Sequence, residues 1–283
     1  INNRLYADDS NSLYFKRSIM VANPPEMITS DKNTTVKLIK GLLTQARQRK
    51  KQGQTVIEGV HLIDAALRSD YPFVQILLSE SAHQHSEVQQ LLTRLPTYTP
   101  ILTLADSLYE GIRSLGTGID IMALINIPAP SLKPINDDCL ILNDVQDSGN
   151  VGTLLRTAAA VGIKNILCTS ATAQAWSPKT LRAGMGAQFA LSIYEGLSVQ
   201  DILDFVQTPL FATSSHTDTV IYQHDLRKPI AWIMGHEGQG VCDELMQCAT
   251  PIALPQPNGQ ESLNVAIAGS LCLYETLRQR SYA

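Results

Sequence analysis

No apolar run in these 283 residues approaches the roughly 18 needed to span a bilayer. The N-terminal stretch has no uninterrupted apolar segment after basic residues, so no secretory signal is expected. The five cysteines, at 139, 168, 242, 248 and 272, include no C-x-x-C pair. Their odd number argues against a disulfide framework and against a zinc site. These absences fit a reducing cytosol, so the expectation is a cytoplasmic protein with no metal and no membrane partner. Net positive charge is lacking too: the chain carries −4 at pH 7, which alone would argue against nucleic-acid binding. Charged residues make up 17% and hydrophobic residues 44%, which allows a buried core and makes global disorder an unfavourable reading.

The distribution of charge softens that objection. Residues 37–51 hold six basic side chains (37, 40, 47, 49, 50 and 51) and no acidic one. A basic strip on an acidic protein can hold phosphates, although a solvated helix face would look the same. Residues 144–159, DVQDSGNVGTLLRTAA, follow the apolar run 139–142 and lead into a helix-like segment. Asn143, Asp144, Asp147, Ser148, Gly149 and Asn150 make a polar turn. Gly149 and Gly152 permit close approach of backbone or ligand. Strand, polar turn and helix start together suggest a ligand-binding edge of an open α/β sheet, or an ordinary strand–helix turn.

Two further stretches, WIMGHEGQGV (232–241) and PIALPQPNGQESLNVAIAGSLCLYE (251–275), change the balance. In order, the three resemble the signature motifs of the SpoU (TrmH) branch of the SPOUT RNA methyltransferases. N-x-G-x-x-x-R-x-A is read at Asn150, Gly152, Arg156 and Ala158, G-x-E-x-x-G at Gly235, Glu237 and Gly240, and E-S-L-N-V at 261–265. Members of that family transfer methyl from S-adenosyl-L-methionine to a ribose 2′-hydroxyl of RNA. The resemblance implies a C-terminal α/β domain tied into a deep trefoil knot and dimeric through that region.

Taken in order, residues 1–33 read as an N-terminal arm or extension with no sustained period. Residues 34–128 alternate helix and strand as a small α/β domain, with one helix over 37–51. The basic helix and VIEGVHLIDAAL (56–67) resemble the ribosomal-protein-like substrate-binding domain that SpoU enzymes carry. Gly116-Thr117-Gly118-Ile119-Asp120 departs from the family's usual turn before the last strand. Three prolines within 128–134 mark a semi-rigid linker, 129–136. Residues 137–283 alternate again, with strands expected at 139–142, 165–169, 189–194, 209–213, 230–234 and 250–254. Helices are expected at 150–161, 178–184, 199–206, 241–248 and 263–280, the last capped by Ser262.

The site follows from the resemblance. Met234, Gly235, Glu237, Gly240, Ile252, Leu254, Ser262 and Leu263 are expected around the cofactor, mostly through backbone groups. Arg156, Asn150, Glu237, Ser262 and Asn264 are the catalytic set. Arginine stays protonated in proteins, so Arg156 reads as a clamp on phosphate and ribose rather than a base. Asn150 would orient that arginine or the substrate, and Glu237 would pair with Arg156 or fix the loop. His236 is read as a bystander. Arg47, Arg49, Lys50 and Lys51, with Lys179 and Arg182 of the family's S-P-K…R segment, are the expected RNA contacts. Ribosomal RNA is the first expected substrate and transfer RNA the second. The rival readings are a non-catalytic RNA-binding assembly factor and a Rossmann oxidoreductase. The second is disfavoured, because 147–152 lacks G-x-G-x-x-G and no acidic residue ends the 165–169 strand.

Overall fold

Two sheets organise the chain. The computed structural model describes residues 27–257 and 262–281. Helices α1 (Thr34–Thr44) and α2 (Ala46–Gln52) open the first unit, followed by β1 (Gln54–Glu58), α3 (Val60–Arg68) and β2 (Gln75–Ser79). Next come α4 (Ser86–Arg94), β3 (Ile101–Leu104), α5 (Asp106–Glu110) and β4 (Ile121–Asn126). The sheet order is β1-β4-β2-β3; β4 runs antiparallel to both neighbours, and β3 is parallel to β2. Of the expected 1–33 arm, residues 1–26 lie outside the described residues. Ile28 bridges Leu104 at the end of β3.

The second unit comprises β5 (Cys139–Leu142), α6 (Ser148–Val161), β6 (Asn165–Thr169), α7 (Pro178–Ala183) and β7 (Ser192–Leu197). It continues with α8 (Val199–Phe205), β8 (Leu210–Thr213), β9 (Ala231–Met234), α9 (Asp243–Cys248), β10 (Thr250–Ile252) and α10 (Val265–Ser281). Its sheet is all parallel, in the order β10-β8-β9-β5-β6-β7. Every residue of β5 and β9 is buried, as expected for central strands covered by helices on both faces. Between the units, Ile135 of the proline-rich stretch is buried and bonds Phe205 and Gln207 through its backbone.

Small residues set the helix positions around β5. A Cβ at Gly152 would sit 2.5 Å from the Ala183 Cβ and 2.7 Å from the Gly184 nitrogen, so glycine lets α6 lie against α7. At Gly269 a Cβ would sit 2.4 Å from the Leu154 Cδ2, so α10 closes onto α6 in the same way. From the edge strand β10 the chain returns in α10 to cover α6 and β9. The far end of α10 is anchored by polar bonds. The buried Trp232 Nε1 donates to Thr276 Oγ1 at 3.0 Å. Arg280 binds Asp138 as a two-pronged ion pair (Nη2 to Oδ1, 2.9 Å) and reaches the Lys228 carbonyl at 2.6 Å.

Three expectations need correction. The helix over 37–51 is two helices, broken at an extended Gln45. The break turns Arg49 inward, where its Nη1 donates to the Leu42 carbonyl left open at the end of α1 (2.8 Å). The strand expected at 189–194 begins at Ser192. Residues Ala187–Ala190 form a 3₁₀ turn whose Phe189 packs against Tyr71 and Trp176 (centroids 5.0 and 6.1 Å), and so short an apolar run does not distinguish strand from turn. Ser262 does not cap the last helix: the Asn264 side chain does, accepting from Ala266 N (2.9 Å) and Ile267 N (3.2 Å).

The two units share one hydrophobic core, in which Ile57 and Ile63 belong to the same cluster as Leu140 and Trp176. Polar ties cross the junction as well. The buried Thr55 hydroxyl donates to the Trp176 carbonyl at 2.7 Å, and Arg49 Nε donates to Gln174 Oε1 at 3.0 Å.

Candidate active site

The polar turn after β5 is built by its own side chains. Asp147 accepts from the Asn150 backbone N–H at 2.9 Å and caps α6. Asp144 holds a left-handed backbone (φ 61°), and its N–H reaches Thr169 Oγ1 at 2.8 Å. Buried Asn143 reaches the next segment, accepting from Cys242 N at 2.8 Å.

The loop after β9 is a small closed hairpin. His236 and Gly240 exchange both backbone hydrogen bonds, each 2.9 Å. A Cβ at Gly235 would meet the Gly240 carbonyl carbon at 2.2 Å, and Gly240 has φ 75°, so neither position suits a side chain. His236 Nδ1 accepts from the N–H groups of Gly238 (2.9 Å) and Gln239 (3.2 Å). The ring therefore caps the loop tip. Sequence reasoning, which set His236 aside, had no signal for this role.

Glu237 joins this loop to the polar turn. Its carboxylate accepts from the backbone of Gln146 and Asp147, both at 3.2 Å, and from Asn150 Nδ2 at 3.0 Å. Asn150 Oδ1 in turn accepts from Asn264 Nδ2 at 3.0 Å. Three residues, one from each motif, thus form a single hydrogen-bonded relay. Burial acts to raise the Glu237 pKa. The bonds from Asn150 and from backbone N–H groups outweigh it and hold the carboxyl below its ordinary value. Of the two expectations for Glu237, the structure has it fixing the loop. Arg156 is exposed on α6, with no hydrogen bond or ion pair among the described residues. Asn150 does not orient it.

A cavity of about 530 Å³ opens beside the hairpin, within the range of roughly 300–1,000 Å³ usual for small-molecule sites. Gly235, Glu237, Gly240, Ile252, Leu254, Ser262 and Leu263 line it. Met234 does not. It is buried behind the wall, under Gly269, because side chains alternate along β9 and the strand end turns this one into the core. Asn150, Arg156 and Asn264 also lie off the lining, with Asn150 and Asn264 reaching the cavity through Glu237. Sequence reasoning missed Thr213 at the end of β8, Ser214 and His216 in the loop after it, and Asp243 at the start of α9, all of which line the cavity. These positions lie outside the three motifs and carry no spacing signal. Apolar walls, exposed loop backbone and two carboxylates, Glu237 and Asp243, fit a flat base joined to a tail of net positive charge, as in S-adenosylmethionine with its sulfonium, ammonium and carboxylate.

The expected RNA contacts divide. Arg47, Lys50 and Lys51 are exposed. Arg49 is not available on the surface: it is 7% exposed and tied to Leu42 and Gln174. Lys179 is exposed and 3.8 Å from Asp147. Arg182 donates from Nη1 to Glu58 (3.2 Å) and Ser114 (2.9 Å) across the junction, because the buried Glu58 carboxylate needs a cation.

An all-parallel sheet, a glycine-closed loop over a cavity at its strand ends and a long helix returning across the middle define a SPOUT-class α/β methyltransferase. Residues 138–274 match the SpoU rRNA Methylase family, and residues 33–123 match the MRM3-like substrate binding domain. The chain is 31% identical to an uncharacterized tRNA/rRNA methyltransferase of Synechocystis sp., over 89% of this chain and 94% of that one. It is 30% identical to the 23S rRNA (guanosine(2553)-2′-O)-methyltransferase RlmP of Bacillus subtilis, over 88% and 98% of the two chains. The AdoMet-bound rRNA methyltransferase of Sinorhizobium meliloti aligns with a TM-score of 0.78 at 25% identity, covering 91% of this chain and 99% of that one. The chain belongs to the SpoU family of S-adenosylmethionine-dependent RNA methyltransferases.

Proposed function

We propose that this chain methylates a ribose 2′-hydroxyl of ribosomal RNA. The observation that carries the reading is the Glu237–Asn150–Asn264 relay, which ties the cavity wall to the start of the helix bearing Arg156. The names of the relatives, which specify 23S ribosomal RNA, support ribosomal over transfer RNA. The hairpin, Ile252, Leu254 and Leu263 would hold S-adenosylmethionine, which would supply an electrophilic methyl group on sulfur.

The protein's own groups do the rest. Arg156 has its whole guanidinium fork free among the described residues, so it can take two phosphate oxygens at once. It stays protonated, and the hydroxyl proton therefore leaves to phosphate or water. Residues 34–128 recruit the RNA, 129–136 join the units, and residues 137–283 carry the chemistry. The knot belongs to the same reading, since α10 returns from edge strand β10 across β9 as a threaded end must. So does a symmetric dimer: Ile267, Leu271 and Tyr274 leave an apolar stripe on α10, each about half exposed. No helix among the described residues is long and apolar enough to cross a membrane, and the five cysteines are free, in keeping with work on ribosomal RNA in the cytoplasm.

Ribose-methylation mapping tests this on ribosomal RNA from a deletion strain complemented with wild type, Arg156→Ala or Arg156→Lys. The expected result is one 2′-O-methyl restored by wild type alone. Restoration by Arg156→Lys would refute the forked clamp, and no missing methyl in the deletion strain would refute the substrate.

A further inference from the structure

A second cavity, of about 330 Å³, lies at the junction of the two units. Three cations line it, Arg49, Lys179 and Arg182, and no carboxylate does. Ser148 lines it too, two residues before Asn150 in the first turn of α6. On the other side it is walled by Thr44 and Ala46, which flank the break between α1 and α2.

We propose that this cavity seats a backbone phosphate of the RNA substrate, so that the strand passes from the basic face of α1–α2 to α6 within one protomer. This rests on the methyltransferase reading and adds where the substrate runs. The helix break is the first support. It leaves Lys37, Lys40, Arg47, Lys50 and Lys51 exposed on the two helices while turning Arg49 into the junction, where it lines the cavity.

Donor capacity is the second. A guanidinium has five N–H groups. Arg49 commits Nε and Nη1 to protein acceptors, and Arg182 commits only Nη1; the other nitrogens have no hydrogen bond among the described residues. Burial lowers the pKa of Arg49 and the charge of Glu195 partly offsets this, so an added anion would be favourable there.

Nearby carboxylates do not fill the role of the phosphate. Glu58 is saturated by Ser114 and Arg182. Asp147 is 3.8 Å from Lys179, and both are more than half exposed, so that pair opens at little cost.

The test uses the full chain and a fluorescein-labelled oligouridylate of about 20 nucleotides, titrated from about 50 to 200 mM salt. Lys179→Glu and Ala46→Glu each place a carboxylate on the cavity wall without removing an interdomain tie. Lys133→Glu, in the linker, makes the same charge change as Lys179→Glu at a distance. Binding should weaken at least about tenfold in the two cavity variants, with the slope of log K against log salt falling by about 0.7 for each lost phosphate contact. Lys133→Glu should stay within about twofold of wild type. If the cavity variants behave like Lys133→Glu, or if wild type does not bind the oligonucleotide at low salt, the proposal is overturned. S-adenosylhomocysteine titration runs beside it. Failure of that binding in wild type sinks the methyltransferase reading, whereas intact binding with unaffected RNA affinity sinks the phosphate seat alone.

Discussion

The side-chain amide of Asn264 donates to that of Asn150 at 3.0 Å, across 114 residues of sequence. Asn150 passes the contact on to Glu237, which lines the larger cavity, so one amide coordinates all three motifs. Replacing Asn150 by Asp keeps the shape but sets a carboxylate against Glu237. Methyl transfer should fall by about 10²-fold, a cost typical of a misplaced reacting group. Adding Glu237→Gln restores a donor, so the double variant should recover part of the loss; equal loss in single and double variants would mean the relay does not act as a unit.

Gly235→Ala should abolish S-adenosylhomocysteine binding while leaving the fold. The added Cβ would meet backbone, the Gly240 carbonyl carbon at 2.2 Å and Val241 N at 2.3 Å, and backbone cannot swing aside as a side chain can. Calorimetry beside a circular-dichroism melt separates the two effects. Unchanged affinity would show that the hairpin does not shape the pocket.

Acid should open the loop. The Glu237 carboxyl is held below its ordinary value of 4.5, so its contribution is complete above that pH and is lost as pH falls through the lower, folded value. S-adenosylhomocysteine affinity measured downward from pH 6 should decline below about pH 4.5. In Glu237→Gln this part of the decline should be missing, and an identical pH profile would assign it elsewhere.

Arg280→Ala should lower stability by about 2 kcal/mol, because it leaves the mostly buried Asp138 and the Lys228 carbonyl without their cation. Thermal denaturation should read this as a drop of roughly 5 °C. A shift under about 1 °C would mean that α10 is held by its packing alone.

Leu271→Asp puts a charge in the middle of the α10 stripe, at a half-exposed position. Light scattering should give the monomer mass for the variant and twice that for wild type, with an unchanged melt at low concentration. A wild-type monomer would remove the dimer from the proposed function.

How much of this was legible beforehand varies by element. The run Cys139–Leu142 reads as a buried strand because all four side chains are apolar, and it is one. Helix α6, expected over 150–161, starts two residues earlier, because the Asp147 side chain caps it and the polar turn hides that cap, and it ends where expected, before the left-handed Gly162. Phe189 misled, because an apolar residue in a short run looks alike in a strand and in a turn. Arg49 and Arg182 misled for a related reason: a cation in a basic or motif-bearing segment looks solvent-facing until a distant buried acceptor, Gln174 or Glu58, is brought to it.

The sequence by itself determined the alternation of strands and helices, the family and the three polar motifs, because those depend on local periodicity and on residue types at fixed spacing. Only the tertiary structure decided which side chains meet. It joined Asn264 to Asn150 and Asn150 to Glu237, and set Thr213, Ser214 and His216 in one cavity with the 235–240 hairpin. Such pairings join segments tens to more than a hundred residues apart. They arise when parallel strands bring their C-terminal ends to one edge, and spacing along the chain carries no record of that.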